Sequence, residues 1–367
     1  MLRHVLAAAL AISLLSLSCG KPLEPGEGAP FLVPGSGSDG TDVSGAASPA
    51  AEGASDSAAG TGASATSTTT TMPAGTLTAG VWDDNLNFDR FQAYRASVGQ
   101  LPGLPGFTAT EQQDAHAASL QAPSAKSALD IAIVIDTTGS MGDEITWLQS
   151  EFAAITHAVE ARFPGVPQRY ALVDYRDVTD SFIVRGVDFG SSASWFEGQL
   201  QTLNANGGGD FPESPDQALA RAGLLSWSSS PNTAKLVFWV ADAPHHDDKA
   251  ADLTAAVRTL AGAGVHVYPV ASSGVDELTE YTMRATAQVT HGRYLFLTDD
   301  SGVGNEHKEP SVSCFDVAKL TEVVERMIAI EVTGVHVPQD PTTVIRSEGA
   351  PQGETCTLAD GTFATLY

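Results

Sequence analysis

The stretch that decides the fold is residues 129–140, LDIAIVIDTTGS. Residues 129–135 form an apolar run broken only by Asp130 and rich in β-branched side chains, as a strand buried on both faces would be. Asp136-Thr137-Thr138-Gly139-Ser140 closes the run, and a helical pattern then continues to Arg162. Outward from this unit, similar runs recur at 170–173, 182–187, 236–241, 265–271 and 294–297. Helical patterns near 143–162, 192–204, 214–227, 249–263, 276–289 and 315–331 separate most of them. This alternation predicts an α/β fold over residues 128–332: a doubly wound, mostly parallel sheet flanked by helices. Asp174-Tyr175-Arg176-Asp177 joins the second and third runs too tightly for a crossover helix, which predicts an antiparallel hairpin at one edge. In open sheets of this kind ligands bind outside the carboxyl ends of the strands, so the residues just after each strand are the candidates for function.

Those residues share a chemistry. The strand ends carry Asp136-Thr137-Thr138-Gly139-Ser140, Asp174-Tyr175-Arg176-Asp177, Asp242-Ala243-Pro244 and Asp299-Asp300-Ser301. A Gly-rich loop, Asn206-Gly207-Gly208-Gly209-Asp210-Phe211-Pro212-Glu213, lies among them. A strand-end Asp taken singly serves equally well as a helix cap or an Asx turn. Carboxylates and hydroxyls converging on one rim are what a hard divalent cation needs: Mg²⁺, or in its place Mn²⁺ or Ca²⁺.

Asp136-x-Thr138-x-Ser140 after an apolar strand, a second loop containing Gly-Gly, and Asp242 after a later strand together resemble the von Willebrand factor type A domain, a Rossmann-like fold. The signature of that family is the metal-ion-dependent adhesion site. Asp-Thr-Thr-Gly-Ser-Met, Asp-Tyr-Arg-Asp and Gly-Gly-Gly-Asp-x-Pro-Glu look like a subgroup with hemicentin-like and bacterial surface members. The resemblance spans residues 128–332. It implies that Thr138 and Ser140 coordinate the cation through hydroxyls, while Asp136 and Asp242 hold its waters. One position departs from the pattern. The second loop usually offers a Thr, and here Asp210 or Glu213 stands in its place. A carboxylate there adds negative charge and weakens the pull of the metal on an acidic group from the ligand.

Further rim residues follow from the same rule. Asp174, Arg176 and Asp177 sit beside the site, with Arg176 placed to pair with either Asp. His245-His246-Asp247-Asp248 follows Asp242; it reads as ligand-contacting rim or as a zinc cluster, although adjacent side chains seldom face one ion. Asp299, Asp300 and Ser301 open a polar, Gly-rich loop running to His307, expected to form one wall of the ligand site.

Beyond this domain the chain changes character. Residues 1–19, MLRHVLAAALAISLLSLSC, read as a secretory signal too short to span a bilayer. Leu17-Ser18-Cys19-Gly20 resembles a bacterial lipobox with Cys19 as the lipidated residue, although Ser16 stands where Leu is usual. A plain cleaved signal is the alternative. Gly20 tilts the expected destination of a lipid-anchored, extracytoplasmic protein towards the outer membrane or cell surface. Residues 20–78 are Gly, Ser, Ala, Thr and Pro with few large apolar residues, so they read as a disordered tether reaching on the order of 40–45 Å. Residues 79–127 read as a docking segment that packs Trp82, Phe88 and Phe91 onto the main domain. Its Asp83, Asn85 and Asn87 mimic the start of a calcium loop but lack the Gly and Glu such a loop needs. The tail, 333–367, reads as a β-rich extension with two or three short strands, stapled by a Cys314–Cys356 disulfide expected in an exported chain.

The chain has 367 residues and a formal net charge of −25, which argues against nucleic acid as a partner. Ser140 lacks the flanking glycines of a hydrolase elbow, and Thr138 stands where a phosphatase of the haloacid dehalogenase type needs a second Asp. The leading reading is therefore a non-enzymatic adhesion domain, tethered to a membrane by a lipid on Cys19, that grips a protein or polymer through a divalent cation. A structural or sensing module with a degenerate metal site is the second reading, and a metal-dependent hydrolase the third.

Overall fold

The computed structural model describes residues 72–121, 124–312 and 314–367. The signal segment, Cys19 and the tether up to residue 71 lie outside the described residues. The chain first forms strand β1 (Thr78–Trp82) and helices α1 (Phe88–Val98) and α2 (Ala109–Ser119). Then come β2 (Ala128–Asp136), α3 (Ile145–Arg162), β3 (Gln168–Tyr175), β4 (Val184–Gly190) and α4 (Ala193–Leu200). After them follow α5 (Pro215–Gly223), β5 (Thr233–Ala241), α6 (Ala250–Gly262), β6 (His266–Ala271), α7 (Glu277–Val289) and β7 (Tyr294–Thr298). The last segment holds β8 (Phe315–Lys319), α8 (Leu320–Thr333) and four short strands, β9 (Arg346–Glu348), β10 (Pro351–Gln352), β11 (Thr355–Thr357) and β12 (Phe363–Thr365).

One nine-stranded sheet runs β4-β3-β2-β5-β6-β7-β1-β8-β9, with β3, β2, β5, β6 and β7 mutually parallel. The tight link after β3 makes β4 an antiparallel edge strand. Side chains alternate across the sheet, so Ile131, Ile133 and Ile135 face α3, α4 and α8, while Ala132 and Val134 face α5, α6 and α7. Helices therefore cover both faces, and every residue from Leu129 to Asp136 is buried.

Two elements differ from expectation. Residues 79–127 do more than dock: β1 is inserted between β7 and β8, antiparallel to both, and the chain enters it held by buried Glu151. That carboxylate accepts from the backbone N–H groups of Gly75, Thr76 and Leu77 at 2.7–2.9 Å. Residues 315–319, read as the start of a helix, form β8 instead, because Phe315 and Val317 bury on one face and Ala318 on the other before α8 begins at once. The acidic stretch after β1 is no cation loop. Asp83 Oδ1 accepts from the Asn85 and Leu86 backbone in a local turn, and its other oxygen takes Arg293 Nε at 3.0 Å. In the tail, β9 joins the main sheet while β10, β11 and β12 form a small sheet of their own. Cys314 and Cys356 are disulfide-bonded, which ties β11 to the entry of β8. No helix among the described residues is long and apolar enough to cross a membrane.

Candidate metal and ligand site

Parallel strands align their carboxyl ends, which brings the loops after β2 and β5 and the Gly-rich loop together. Asp136, the last residue of β2, is fully buried; its Oδ1 accepts from the Thr138 backbone N–H at 2.8 Å and from the Thr138 hydroxyl at 2.7 Å. The Thr138 and Ser140 hydroxyls lie 3.2 Å apart, with Ser140 at the surface. Asp242 and Glu213 are both buried near them. Three carboxylate oxygens here, Asp136 Oδ2, Asp242 Oδ1 and Glu213 Oε2, are shut from solvent with no hydrogen-bond partner among the described residues. Such groups are rare unless something satisfies them.

Their electrostatics agree. Burial pushes the Asp136 and Asp242 carboxyls upward, with Asp242 adding to the rise at Asp136 and Glu144 to the rise at Asp242. Burial, then Asp136, Asp177 and Asp242, raises the Glu213 carboxyl to about 9. A divalent cation would reverse each of these shifts. Among the described residues no three His, Cys, Asp or Glu side chains are grouped to hold a metal alone. A hard ion here would draw its shell from the Thr138 and Ser140 hydroxyls and from water, with Asp136, Asp242 and Glu213 as the neighbouring carboxylates.

The Gly-rich loop is shaped to deliver Glu213 and not Asp210. Gly208 has φ +72°, and a Cβ there would stand 3.1 Å from Glu213 Oε1 and 3.4 Å from Thr138 Cβ. Glu213 is fixed by its backbone N–H to Pro244 O at 2.8 Å. Asp210 is exposed.

Arg176 pairs with neither Asp174 nor Asp177. Its Nε donates to Thr137 O at 3.1 Å and its Nη2 to Asn204 O at 3.0 Å, stitching the loop after β2 to the stretch leading into the Gly-rich loop. Asp174 takes Arg185 Nε instead, at 3.0 Å. Asp177 accepts from Ser214 Oγ at 3.1 Å and lies 2.7 Å from His246 Nε2. His245 is not on the rim: it is buried, with Nε2 2.6 Å from Gly103 O, and holds the connection between α1 and α2. Asp180, overlooked in the sequence, accepts from the Asp177 and Gly208 backbone and holds the hairpin tip against the glycines.

The loop after β7 is bound to the same rim. Asp299 Oδ1 accepts from the His307 backbone at 2.9 Å and lies 2.8 Å from His307 Nδ1. Asn305 donates its backbone N–H to Asp143 Oδ2 at 2.7 Å. Asp300 pairs with Arg346 at 3.1 Å, and Ser301 Oγ accepts from the Val303 backbone at 3.2 Å. These side chains anchor the loop. Asp143, Glu144 and His307 could have been flagged only by the short spacing of the first two from Ser140.

Residues 130–302 match the model of the von Willebrand factor A domain, and this part of the chain is a von Willebrand factor A domain. Domains of this class are protein-interaction modules, generally without catalytic activity. The chain is 29% identical over 187 residues to a putative ariadne-like RING finger protein of Acanthamoeba polyphaga mimivirus, covering 46% of this chain and 18% of that protein. It is 25% identical over 123 residues to an alpha-protein kinase of Dictyostelium discoideum, covering 33% of this chain and 19% of that protein. The chain thus spans about a fifth of the length of these curated relatives. The crystal structure of the conserved hypothetical protein BatB from Bacteroides thetaiotaomicron superposes with a TM-score of 0.38 at 10% identity, over 55% of this chain and 98% of that one.

Proposed function

We propose that the domain is a metal-dependent binding module that grips a protein or polymer ligand through a divalent cation, Mg²⁺ first, and that a lipid on Cys19 and the tether hold it outside the cytoplasm at a membrane. The observation that carries the metal reading is the set of three buried, unpartnered carboxylate oxygens on Asp136, Asp242 and Glu213 beside the Thr138 and Ser140 hydroxyls. Anchoring and export rest on residues 1–19 alone.

A specific observation favours a second reading, a sensing or structural module. Glu213 brings a third carboxylate where the family usually offers a hydroxyl, so the ion's charge is met within the protein and little remains to attract an acidic ligand group.

Calorimetric titration with Mg²⁺, Mn²⁺ and Ca²⁺ of the wild type, Asp136→Ala and Ser140→Ala tests the metal. Binding abolished in both variants is the expected result, and no binding to the wild type overturns it. Glu213→Thr then separates the two readings. If it leaves metal affinity near wild type and creates chelator-sensitive ligand capture, the native chain is the sensing kind. Capture already present in the wild type supports adhesion.

A further inference from the structure

At the opposite end of the sheet lies a cleft of about 340 Å³ whose walls include His266, His291, Arg293, Lys126 and Glu331. His266 opens β6, so it sits about 17 Å, the length of that strand, from the metal rim. The two imidazole ring centres lie 5.8 Å apart, with the ring planes tilted by 58°. Imidazole nitrogens bind metals at about 2.0–2.1 Å, so two rings sharing one ion stand roughly 5–6 Å apart.

The supporting contacts are those that prepare a histidine for a metal. Glu331 Oε1 lies 2.8 Å from His266 Nδ1, and Tyr268 Oη and Arg293 Nη1 hold the same oxygen. A carboxylate only accepts, so Nδ1 carries a proton, and Nε2 is the nitrogen through which the neutral ring would bind a metal. His291 makes no side-chain hydrogen bond among the described residues, and it alone of their non-glycine residues has a positive φ, 62°. The turn is enforced by its neighbour: a Cβ on Gly292 would stand 1.7 Å from Val267 O. His291 is the residue after the C-cap of α7, where a left-handed backbone ends the helix, so its place at the cleft is set by that helix end. The cations in the cleft are already engaged, Arg293 Nε with Asp83 at 3.0 Å and Lys126 Nζ with Pro231 O at 3.1 Å.

We propose that His266 and His291 form an open two-imidazole site for a borderline transition-metal ion, Zn²⁺, Cu²⁺ or Ni²⁺, with water completing the shell and Glu331 as the positioning carboxylate. The full chain, made without a histidine tag in an Asp136→Ala/Ser140→Ala background, is titrated with each metal alone, and Cu²⁺ is followed by electron paramagnetic resonance. One equivalent with two-nitrogen hyperfine structure is expected. His291→Asn, which suits the left-handed backbone, and His266→Gln each lower affinity at least about tenfold, and Glu331→Gln lowers it about 10- to 100-fold. Circular dichroism confirms that the variants fold. Binding unchanged by both histidine substitutions, or the absence of saturable one-to-one binding, overturns the proposal. Using the rim-disabled background keeps this outcome separate from that of the Mg²⁺ titration.

Discussion

His307 Nε2 stands 3.0 Å from Glu144 Oε1, and both side chains are shut away from water. Glu144 begins the turn into α3, four residues after Ser140, so this pair clamps the loop after β7 onto the segment that carries the candidate metal hydroxyls. Burial alone would lower the His307 pKa, but the carboxylates of Glu144 and Asp299 beside it outweigh that and the value is raised. Burial alone would raise Glu144, and His307 with Ser273 brings it below its ordinary value.

The pH dependence of the clamp follows from these directions. The contribution of His307 is complete below its unfolded value of about 6.5 and is lost as pH rises through its higher folded value. The contribution of Glu144 is complete above its unfolded value near 4.5 and is lost as pH falls through its lower folded one. Amide exchange in residues 301–306, corrected for intrinsic rates, is expected to be slowest between about pH 4.5 and 6.5. His307→Gln should flatten the profile. A loop equally protected at pH 9 in the wild type would show that the clamp is not ionic.

The carboxylates of Asp136, Asp242 and Glu213 act in the other sense. All three are raised in the folded state, Glu213 from 4.5 to about 9. Their folded charged forms are disfavoured, so metal-free stability should fall as pH rises from the unfolded values towards 9. Mg²⁺ should relieve that loss, and Glu213→Gln should remove part of it, raising the metal-free Tm at pH 8.5 by a few degrees, at about 2–4 °C per kcal/mol. A thermal scan series with and without chelator measures both. A Tm that is flat with pH and indifferent to Mg²⁺ would contradict the electrostatics of the cluster.

How much of this was legible beforehand depends on where each signal resides. Asp136, Thr138, Ser140 and Asp242 could be read because apolar runs mark strands and parallel strands bring their ends together. The partners of Arg176 could not, because they are the carbonyl oxygens of Thr137 and Asn204, which no side-chain pattern displays. Glu144 is marked only by its closeness to Ser140, and its pairing with His307, far off in the chain, is tertiary information. Strand β1, TAGVW, is too short and too small to stand out after a low-complexity stretch, and its place between β7 and β8 is tertiary information. Between Asp210 and Glu213 only the backbone path through Gly207 and Gly208 could decide.

The Cys314–Cys356 bond closes a loop with a sequence separation of 42 and ties the small tail sheet to the main one. Cys356→Ser is expected to cost about 2–5 kcal/mol in urea unfolding under oxidising conditions, with no effect on Mg²⁺ affinity because the rim lies elsewhere. Equal unfolding midpoints for the two proteins would mean that the tail docks through packing alone.

The segment before the domain should prove inseparable from it, and Asp84 is the place to show this. Its carboxylate takes Arg284 Nε at 3.0 Å and Nη2 at 2.7 Å, with both side chains 1% exposed. Arg284, on α7, also takes Glu280 at 3.1 Å and lies 4.1 Å from the Tyr94 ring centre, so it joins α7 to the turn after β1 and to α1. Removing Asp84 takes the two-bond partner from a buried guanidinium and leaves it Glu280 alone. Asp84→Ala is therefore expected to cost about 3–5 kcal/mol, measured by urea unfolding. The double variant Asp84→Leu/Arg284→Met should cost less than either single change if unpaired charge is the cause. Strict additivity would instead assign the loss to packing around Trp82, whose indole N–H donates to the same Asp84 carboxylate at 3.0 Å.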